Sequence, residues 1–270
     1  MKTFLITGAT DGLGLATARQ LANAGHHLII HGRDPHKLAA LADELAAYTQ
    51  VETCVADLGD MQAVRGMATT LSAIYPHIDA LINNAGVYKA PQTDEHKIDI
   101  RFRVNTIAPY ILTRALMINL SGGRVINLSS AAQAPVNLAA LQGLQQCHSP
   151  MDAYAQSKLA LTTWTMAMAM AMASTETQKS QPADIQFIAI NPGSLLATKM
   201  VKQGFGVSGS DTGPAVALLV SAAVGKAFEK ANGSYFDNDI GELSHAHPEA
   251  YLLKQQQQLI EFLEWMATQN

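Results

Sequence analysis

The sequence predicts an α/β fold in which about seven parallel strands form a doubly wound sheet flanked by helices. Short apolar runs alternate with segments of helical periodicity, and a glycine-rich turn joins the first run to the first helix. Small or polar residues follow several of the apolar runs. Such alternation implies right-handed crossovers and a parallel sheet. Because no linker-like stretch interrupts the pattern, we expect one domain over residues 1–270.

Composition restricts the class of partner. The chain has 270 residues, 48% of them hydrophobic, which is enough to bury a large core. The net charge is -4 and lysine and arginine form no run, so we expect no binding to nucleic acid or to a membrane. Cys54 and Cys147 lack metal-site or redox spacing, and His245 and His247 lack a third ligand, so no metal site is expected. No signal peptide precedes the first strand, which predicts a cytoplasmic protein. The charge and composition together predict a small-molecule substrate.

The first strand, residues 2–6, ends in a turn that contains Gly8, Gly12 and Gly14, and a helix follows over residues 15–24. Glycines at these positions let the backbone turn tightly and approach a pyrophosphate, whose charge the helix N-terminus can meet. A turn with incidental glycines is the alternative. The glycine turn lies between a strand and a helix at the start of an alternating pattern, and this position favours a dinucleotide site.

The second strand, residues 27–31, is followed by Arg33, near where an adenosine ribose would lie. An NAD site places an acid here, whereas a guanidinium suits a 2′-phosphate, so the sequence favours NADP(H). Asp11 in the glycine turn adds a negative charge nearby and weakens this preference, so NAD(H) is possible. The alternative for Arg33 is a solvated surface charge.

Polar and small residues also follow the later strands. We expect these strands at residues 51–56, 80–82, 122–128, 185–190 and 234–236, and helices at 35–49, 60–74, 214–229 and 248–266. Asp57 and Leu58 follow the third strand, an Asn-Asn-Ala-Gly segment follows the fourth, and Ser129 and Ser130 follow the fifth. Because the carboxyl ends of parallel strands meet at one edge of the sheet, a ligand crevice is predicted there.

Tyr154 and Lys158 lie four residues apart on a predicted helix, so they share one face. Free tyrosine has a pKa near ~10, and acid/base work near neutrality requires a drop of about three units, or roughly 4 kcal/mol. The lysine supplies part of this drop, and a second positive charge such as an oxidised nicotinamide ring could supply the rest. The spacing alone also occurs by chance.

Together these motifs resemble the short-chain dehydrogenase/reductase family, in its single-domain type, from residue 7 to about residue 236. The turn Thr-Gly-x-x-x-Gly-x-Gly, Asn-Asn-Ala-Gly, Ser-Ser, Tyr-x-x-x-Lys and an Asn-Pro-Gly segment follow the family's order. The resemblance implies a Rossmann-type fold and hydride transfer between a nicotinamide cofactor and a carbonyl or alcohol substrate. The alternative is a redox-sensing regulatory protein that binds NAD(P) without turnover, although a sensor has no need of the catalytic residues.

The resemblance also implies roles for individual residues. Tyr154 is the proton donor and acceptor, Lys158 lowers its pKa and holds the nicotinamide ribose, and Ser130 rather than Ser129 bonds the substrate oxygen. Asn105 would hold a water that links the lysine to solvent. The implied cofactor contacts are Gly8, Thr10, Asp11, Gly12, Leu13, Gly14, Arg33, Asp57, Leu58, Asn84, Ala85, Gly86, Tyr154, Lys158, Pro192, Gly193 and Thr198.

Two features depart from the compact family pattern. Ser130 and Tyr154 are unusually far apart, which predicts an enlarged substrate loop over residues 131–152 and resembles the retinol-dehydrogenase-like branch, as does the tail at 233–237. Thr198 lies one residue later than the family's usual threonine, so its role at the cofactor is less certain. The loop contains five apolar residues that suggest an apolar substrate, although they could equally pack against the lid described below: Pro135, Val136, Leu138, Leu141 and Leu144.

The helix after Lys158 carries methionine at every second position from 166 to 172. This spacing spreads the methionines around the helix, so several faces should be covered. Related enzymes commonly form dimers through this helix, which predicts a homodimer or homotetramer; packing within one chain is the competing interpretation. The glycine-bearing segment 194–213 is predicted to be a lid over the substrate, with a plain surface loop as the alternative.

Overall fold

One eight-stranded sheet organises the chain. The computed structural model describes residues 1–90, 97–174 and 184–269. The strands are β1 (Thr3–Ile6), β2 (His27–Gly32), β3 (Val51–Val55), β4 (Ala80–Asn83), β5 (Arg124–Leu128), β6 (Gln186–Asn191), β7 (Ser234–Asp237) and β8 (Glu242–Ser244). Their order is β3-β2-β1-β4-β5-β6-β7-β8, and only the pairing of β8 with β7 is antiparallel within the described chain. The predicted doubly wound parallel sheet is confirmed.

Helices connect these strands and cover both faces of the sheet. They are α1 (Gly12–Asn23), α2 (Pro35–Leu45), α3 (Met61–Ile74), α4 (Ile100–Phe102), α5 (Ala108–Ala115), α6 (Leu138–Leu141), α7 (Pro150–Ser174), α8 (Lys199–Phe205), α9 (Gly213–Val224) and α10 (Leu253–Thr268). A π-helical turn, Arg103–Ile107, joins α4 to α5, and short 3-10 turns form at Lys226–Phe228 and Pro248–Tyr251.

The strands read as continuous apolar runs because both faces of the sheet are buried. Phe4, Leu5 and Ile6 of β1 are all 0% exposed. Successive side chains point to opposite faces, so Leu5 packs in the cluster that includes α3, α5, α7 and α10. Phe4 and Ile6 pack in the other cluster, with α1, α2 and α9. The two clusters form the two layers of core.

The chain reverses its winding direction beside β1. Its two neighbours are β2 and β4, which lie on opposite sides, so the turn after β1 and the segment after β4 diverge from one point. Open parallel sheets bind ligands at such a switch point, outside the carboxyl ends of the strands. The order of strands thus places the glycine turn beside the Asn-Asn-Ala-Gly segment.

The structure differs from the prediction at several element ends. Strand β8 was not predicted, because it has only three residues, without an apolar alternation, and Leu243 within it is exposed. The predicted helix 248–266 is a 3-10 turn followed by α10. The predicted helices 35–49 and 214–229 end earlier, at Leu45 and Val224.

The methionines of α7 are largely covered by the same chain. Met166 is 2% exposed and packs with the C-terminal residues Ala246 and Ala250. Met168 is 7% exposed and belongs to the cluster that contains α10, whereas Met170 is 54% exposed. Met172 is partly buried against the same cluster, so packing within one chain accounts for three of the four methionines from 166 to 172. Oligomerisation stays a prediction. None of the helices in the described ranges has both the length and the apolar character of a membrane span.

Candidate active site

The glycine turn is packed directly against the end of β4. Gly8 has a positive φ of 66°, a conformation that favours glycine. A Cβ on Gly14 would lie 2.3 Å from the carbonyl oxygen of Gly8 and 2.4 Å from the Asn84 amide nitrogen. Any larger residue at position 14 would therefore force α1 away from the turn.

Asn84 ties the same turn to β4 through hydrogen bonds. Its Nδ2 donates to the carbonyl oxygens of Thr7 (2.8 Å) and Gly8 (3.1 Å). The amide of Ala85 in turn donates to Thr7 Oγ1 at 3.1 Å. The polar atoms of Asn84 thus satisfy backbone carbonyls that the turn leaves unpaired.

His31 is a component of the turn that the sequence analysis missed. Its Nδ1 accepts a hydrogen bond from the Gly8 amide at 3.2 Å, and its Nε2 lies 3.1 Å from the Ala56 carbonyl oxygen. An acceptor at Nδ1 and a donor at Nε2 correspond to the neutral imidazole. Burial lowers the pKa of His31 to about 4, which keeps this form. A histidine inside an apolar strand gave no sign of this contact in the sequence.

Two basic side chains flank the end of β2. Arg33 is exposed at the cavity wall, and Lys37, one helical turn further along α2, lines the same cavity. Asp34 accepts hydrogen bonds from the amides of His36 and Lys37 and so caps α2. Asp11 caps α1 by accepting from the Gly12 amide at 2.8 Å. Lys37 was not predicted, although its spacing from Arg33 could have indicated it.

One cavity of about 990 Å³ connects these groups with Tyr154. Two predicted site residues, Gly14 and Asn105, lie behind its wall. The predicted residues that line it are Gly8, Thr10, Asp11, Gly12, Leu13, Arg33, Asp57, Leu58, Asn84, Ala85, Gly86, Ser130, Tyr154, Lys158, Pro192, Gly193 and Thr198. The turn, the strand ends and the helix α7 thus meet around one space, as the sheet topology requires.

The two serines after β5 face different surroundings. Ser129 is 3% exposed, and its Oγ lies 2.6 Å from Thr162 Oγ1 on α7. Ser130 reaches the cavity, where its hydroxyl accepts a hydrogen bond from the Ala132 amide at 3.1 Å. Both serines line the cavity, but only the Ser130 hydroxyl acts on Tyr154, whose pKa it lowers.

Burial dominates the electrostatics of Tyr154 and Lys158. The Lys158 ammonium lies 5.7 Å from the centre of the Tyr154 ring and donates to the Leu128 carbonyl oxygen at 2.6 Å. Burial lowers the pKa of Lys158 to about 8 and raises the pKa of Tyr154, although the Ser130 hydrogen bond opposes the latter shift. Desolvation thus raises the Tyr154 pKa in the chain by itself, and the lowered pKa expected with a bound nicotinamide stays a prediction.

Asn105 holds the site together from behind. It lies in the π-helical turn, is 1% exposed, and bonds both the amide (2.8 Å) and the carbonyl (3.0 Å) of Val87. Its Nδ2 also donates to Ser157 Oγ at 3.0 Å, and that hydroxyl donates to the Tyr154 carbonyl. A Cβ on Gly86 would lie 3.4 Å from Asn105 Oδ1 and 3.6 Å from Lys158 Nζ, so the amide and the ammonium approach the same point.

Helix α8 closes the substrate end of the cavity. The ring of Tyr88 packs edge-on against that of Tyr154, with centroids 5.4 Å apart. A Cβ on Gly204 of α8 would lie 2.7 Å from Tyr88 Cδ1, so the helix backbone contacts the ring directly. Met200 and Val201 of α8 also line the cavity. The predicted lid segment thus contains a helix that packs on the tyrosine pair.

Comparison with known proteins identifies the family. The model of the short chain dehydrogenase family matches residues 2–205. The chain belongs to this family. Human retinol dehydrogenase 13 is 30% identical over 261 residues, an alignment that covers 87% of this chain and 76% of that protein. The predicted family and its retinol-dehydrogenase-like branch are confirmed, and the chain is an oxidoreductase of alcohol and carbonyl groups.

Solved structures of similar fold span the whole chain. A protein of unknown role from Mycobacterium paratuberculosis has a TM-score of 0.81 and 26% identity, and the match covers 100% of this chain and 94% of that one. A short-chain dehydrogenase from Burkholderia cenocepacia, in complex with NADP, has a TM-score of 0.70 and 24% identity over 89% and 97% of the two chains. These similarities extend beyond residue 205 to the C-terminal strands.

The enlarged loop of this dehydrogenase does not place its apolar residues in the cavity. Leu141 is fully buried in the core, Val136 and Leu138 pack against the same cluster, and Leu144 is 76% exposed. Neither these four residues nor Pro135 is among the described residues that line the cavity. Leu141, Val136 and Leu138 thus pack in the core rather than against the predicted lid, and Leu144 is exposed. The described loop residues that reach the cavity are those at its ends: Ala131, Ala132 and Met151.

The segment after β6 brings Thr198 to the glycine turn despite its offset in the family pattern. Leu195 within this segment adopts a positive φ of 50°. Thr198 caps α8, and its Cγ2 lies 3.6 Å from where a Cβ on Gly12 would be. The Asp239 carboxylate accepts from the Ser194 amide at 2.7 Å and from Asn191 Nδ2 at 2.9 Å, which fixes the start of the segment.

We expect His31 to make the glycine turn sensitive to acid. The unfolded chain binds this proton below pH 6.5 and the folded chain only below about pH 4, so the stabilising contribution is complete above pH 6.5 and is lost as the pH falls between these values. The loss amounts to about 3 kcal/mol. Urea unfolding of the wild type and His31→Gln at several pH values measures it as the difference in pH dependence.

The His36→Gln variant provides the control, because it removes an exposed histidine from α2. It should retain the wild-type pH dependence. Equal pH dependence of the wild type and His31→Gln would show that burial does not lower the pKa of His31 in the folded chain.

Proposed function

We propose that the protein transfers a hydride reversibly between NADP(H) and an apolar carbonyl or alcohol substrate, with Tyr154 as the general acid/base. The observation that carries this proposal is that Tyr154 and Ser130 line the same cavity as the glycine turn. Lys158 lies beside the pair. A hydroxyl pair at one end of a nucleotide-sized cleft suits proton transfer to a substrate oxygen.

The chain supplies the proton and the alignment. A bound nicotinamide would supply or accept the hydride. Because burial raises the pKa of Tyr154, its hydroxyl stays protonated near neutrality and is ready to donate to a carbonyl oxygen as negative charge develops there. Ser130 would hold that oxygen. A pKa of about 8 keeps Lys158 mostly charged at pH 7, where it favours the developing tyrosinate.

The residues present fit a nicotinamide dinucleotide. A Cβ on Gly12 would meet only Thr198 atoms, at 3.6 and 3.8 Å, so the backbone there is open to the cavity. Gly8, Gly12 and the start of α1 would hold the diphosphate, and Thr198 would face it from the other side. Asp57 and Leu58 would border the adenine, and Pro192 and Gly193 the nicotinamide.

The preference for NADP(H) rests on charge at the end of β2. Arg33 and Lys37 are both exposed and both line the cavity, so two cations can approach one phosphate. Asp34, the nearest acid after Arg33, is occupied with capping α2. Two cations beside the cavity, with one Asp34 oxygen used in the cap, support a 2′-phosphate over a bare hydroxyl.

We expect Arg33→Ala to weaken NADPH binding roughly thirtyfold, as the loss of one charge-assisted bond of about 2 kcal/mol implies. NADH binding should change little. Fluorescence titration with each cofactor measures both affinities, and Lys226→Ala, which removes an exposed charge outside the cavity, is the control. Equal losses for NADPH and NADH would show that Arg33 does not recognise the 2′-phosphate.

The substrate end of the cavity supports an apolar compound. Its walls include the Tyr88 ring, Met151 at the end of the loop, and Met200 and Val201 on α8. These side chains offer contact area and no charge, and methionine adapts to irregular shapes. We propose that segment 194–213 acts as the lid here, while the enlarged loop contributes only its two ends.

Apolar aldehydes and ketones of medium or long chain should be reduced with higher kcat/KM than small polar carbonyl compounds. The reason is that each buried methylene gains about 0.8 kcal/mol. Measuring kcat/KM with NADPH for a panel of substrates gives this ranking. Tyr88→Ala should reduce the difference in kcat/KM between apolar and small polar substrates, because it removes one apolar wall. The reverse ranking would refute the apolar substrate.

Replacing Tyr154 by Phe should lower kcat by about 10²- to 10⁴-fold, because it removes the proton donor. NADPH affinity should remain close to that of the wild type, which a binding titration checks. The matched control is Tyr88→Phe, which deletes the hydroxyl of the neighbouring ring and should keep most of the activity. Substantial turnover by Tyr154→Phe would contradict the assignment.

A further inference from the structure

The catalytic-site serine is anchored by residues that come from outside its own strand. The Ser130 carbonyl oxygen accepts a hydrogen bond from Tyr235 Oη on β7 at 3.2 Å. It accepts a second from Gln133 Nε2 at 2.9 Å. Ser130 lies two residues after Leu128, the last residue of β5, and directly before the enlarged loop, so the strand itself does not include its backbone.

The C-terminal segment controls the second donor as well. Gln133 Oε1 accepts a hydrogen bond from the His247 amide at 3.1 Å, which orients the Gln133 side chain so that its Nε2 points at Ser130. Tyr235 is 3% exposed and packs with Ala246 and Ala250. Both anchors of Ser130 therefore depend on contacts made by residues 235–250, which lie beyond the part of the chain that matches the family model.

We propose that Tyr235 and Gln133 are positioning residues that hold the Ser130 hydroxyl in line with Tyr154 and the substrate oxygen. This inference rests on the proposed function. Neither side chain needs to touch the substrate, because a carbonyl held on two sides fixes the orientation of the serine that carries it. A displaced hydroxyl would lose its transition-state contact while the cavity and the cofactor residues stay in place.

The position of this anchor explains how the enlarged loop is tolerated. The residues after Ser130 enter the enlarged loop, 131–152, before the chain reaches Tyr154. The Ala134 amide donates to the Ala155 carbonyl oxygen, and the Asn137 amide donates to Gln156 Oε1, so later parts of the loop are tied to α7. Tyr235 and Gln133 perform the corresponding task at the start of the loop, where Ser130 must stay fixed.

A double-mutant cycle in kcat tests the proposal. Tyr235→Phe combined with Gln133→Ala should lower kcat on the order of tenfold, because about one hydrogen bond's worth of positioning is lost at Ser130. KM for NADPH should stay within about twofold, because the cofactor residues are untouched. In a Ser130→Ala background the same two substitutions should change kcat by less than about twofold, since the group that they position is absent.

A second measurement needs neither cofactor nor substrate. The Ser130 hydrogen bond lowers the pKa of Tyr154, so Ser130→Ala should raise that pKa. NMR titration of ring-labelled tyrosine should show a rise in the same direction for Tyr235→Phe/Gln133→Ala. Tyr251→Phe, which also deletes a C-terminal hydroxyl but one that accepts from the Ala246 amide, should leave both kcat and the Tyr154 titration unchanged.

The possible outcomes separate this inference from the proposed function. If the wild type shows no turnover with any carbonyl compound, the hydride-transfer proposal fails. An unchanged Tyr154 titration in Tyr235→Phe/Gln133→Ala would overturn the inference about Tyr235 and Gln133. A full tenfold loss in the Ser130→Ala background would overturn it too, because the effect would not pass through Ser130. Tyr235→Phe alone, which keeps the ring volume, replaces the double variant if the latter fails to fold.

Discussion

The site depends on a close approach at the start of α1, where three pieces of chain meet without space for a methyl group. A side chain at Gly14 would overlap the Gly8 carbonyl and the Asn84 amide, both within 2.4 Å of its Cβ. This contact fixes the distance between the turn after β1 and the end of β4. Val87 and Tyr88 follow directly from β4, so the same contact sets the position of the wall that packs against Tyr154.

Burial shifts the pKa values of Tyr154 and Lys158 in opposite directions, and the shift at Tyr154 favours donation of a proton by its hydroxyl. Removal from water disfavours the charged form of each group, which raises the pKa of Tyr154 and lowers that of Lys158 to about 8. Without a ligand, Tyr154 is therefore protonated near neutrality, and Lys158 beside it loses part of its positive charge as the pH approaches 8. Oxidation of an alcohol would need the tyrosinate, and only a further positive charge brought in with a ligand could stabilise it.

Much of the fold followed from the sequence because the strands are buried on both faces and appear as apolar runs. The features that were missed depend on contacts between distant segments. His31 looks like any residue of an apolar strand until the pairing of β1 with β2 brings it to the Gly8 amide. The apolar loop residues were expected to form either a substrate wall or a contact with the lid, and the burial of Leu141 in the core shows a third arrangement that depends on distant helices. Strand β8 is too short to leave a pattern.

The π-helical turn at Asn105 shows why a predicted catalytic residue can be central and yet not face the substrate. All the side-chain bonds of Asn105 go to Val87 and Ser157, so its amide is already satisfied. A satisfied, buried amide is a poor reactant but a good connector, because breaking any of these bonds would leave an unpaired buried group. Such π turns occur often at functional sites. Here the turn links the segment after β4 to the backbone of Tyr154 through Ser157, so Asn105 helps to position the tyrosine. The side chains of Tyr154 and Ser130, and not that of Asn105, line the cavity.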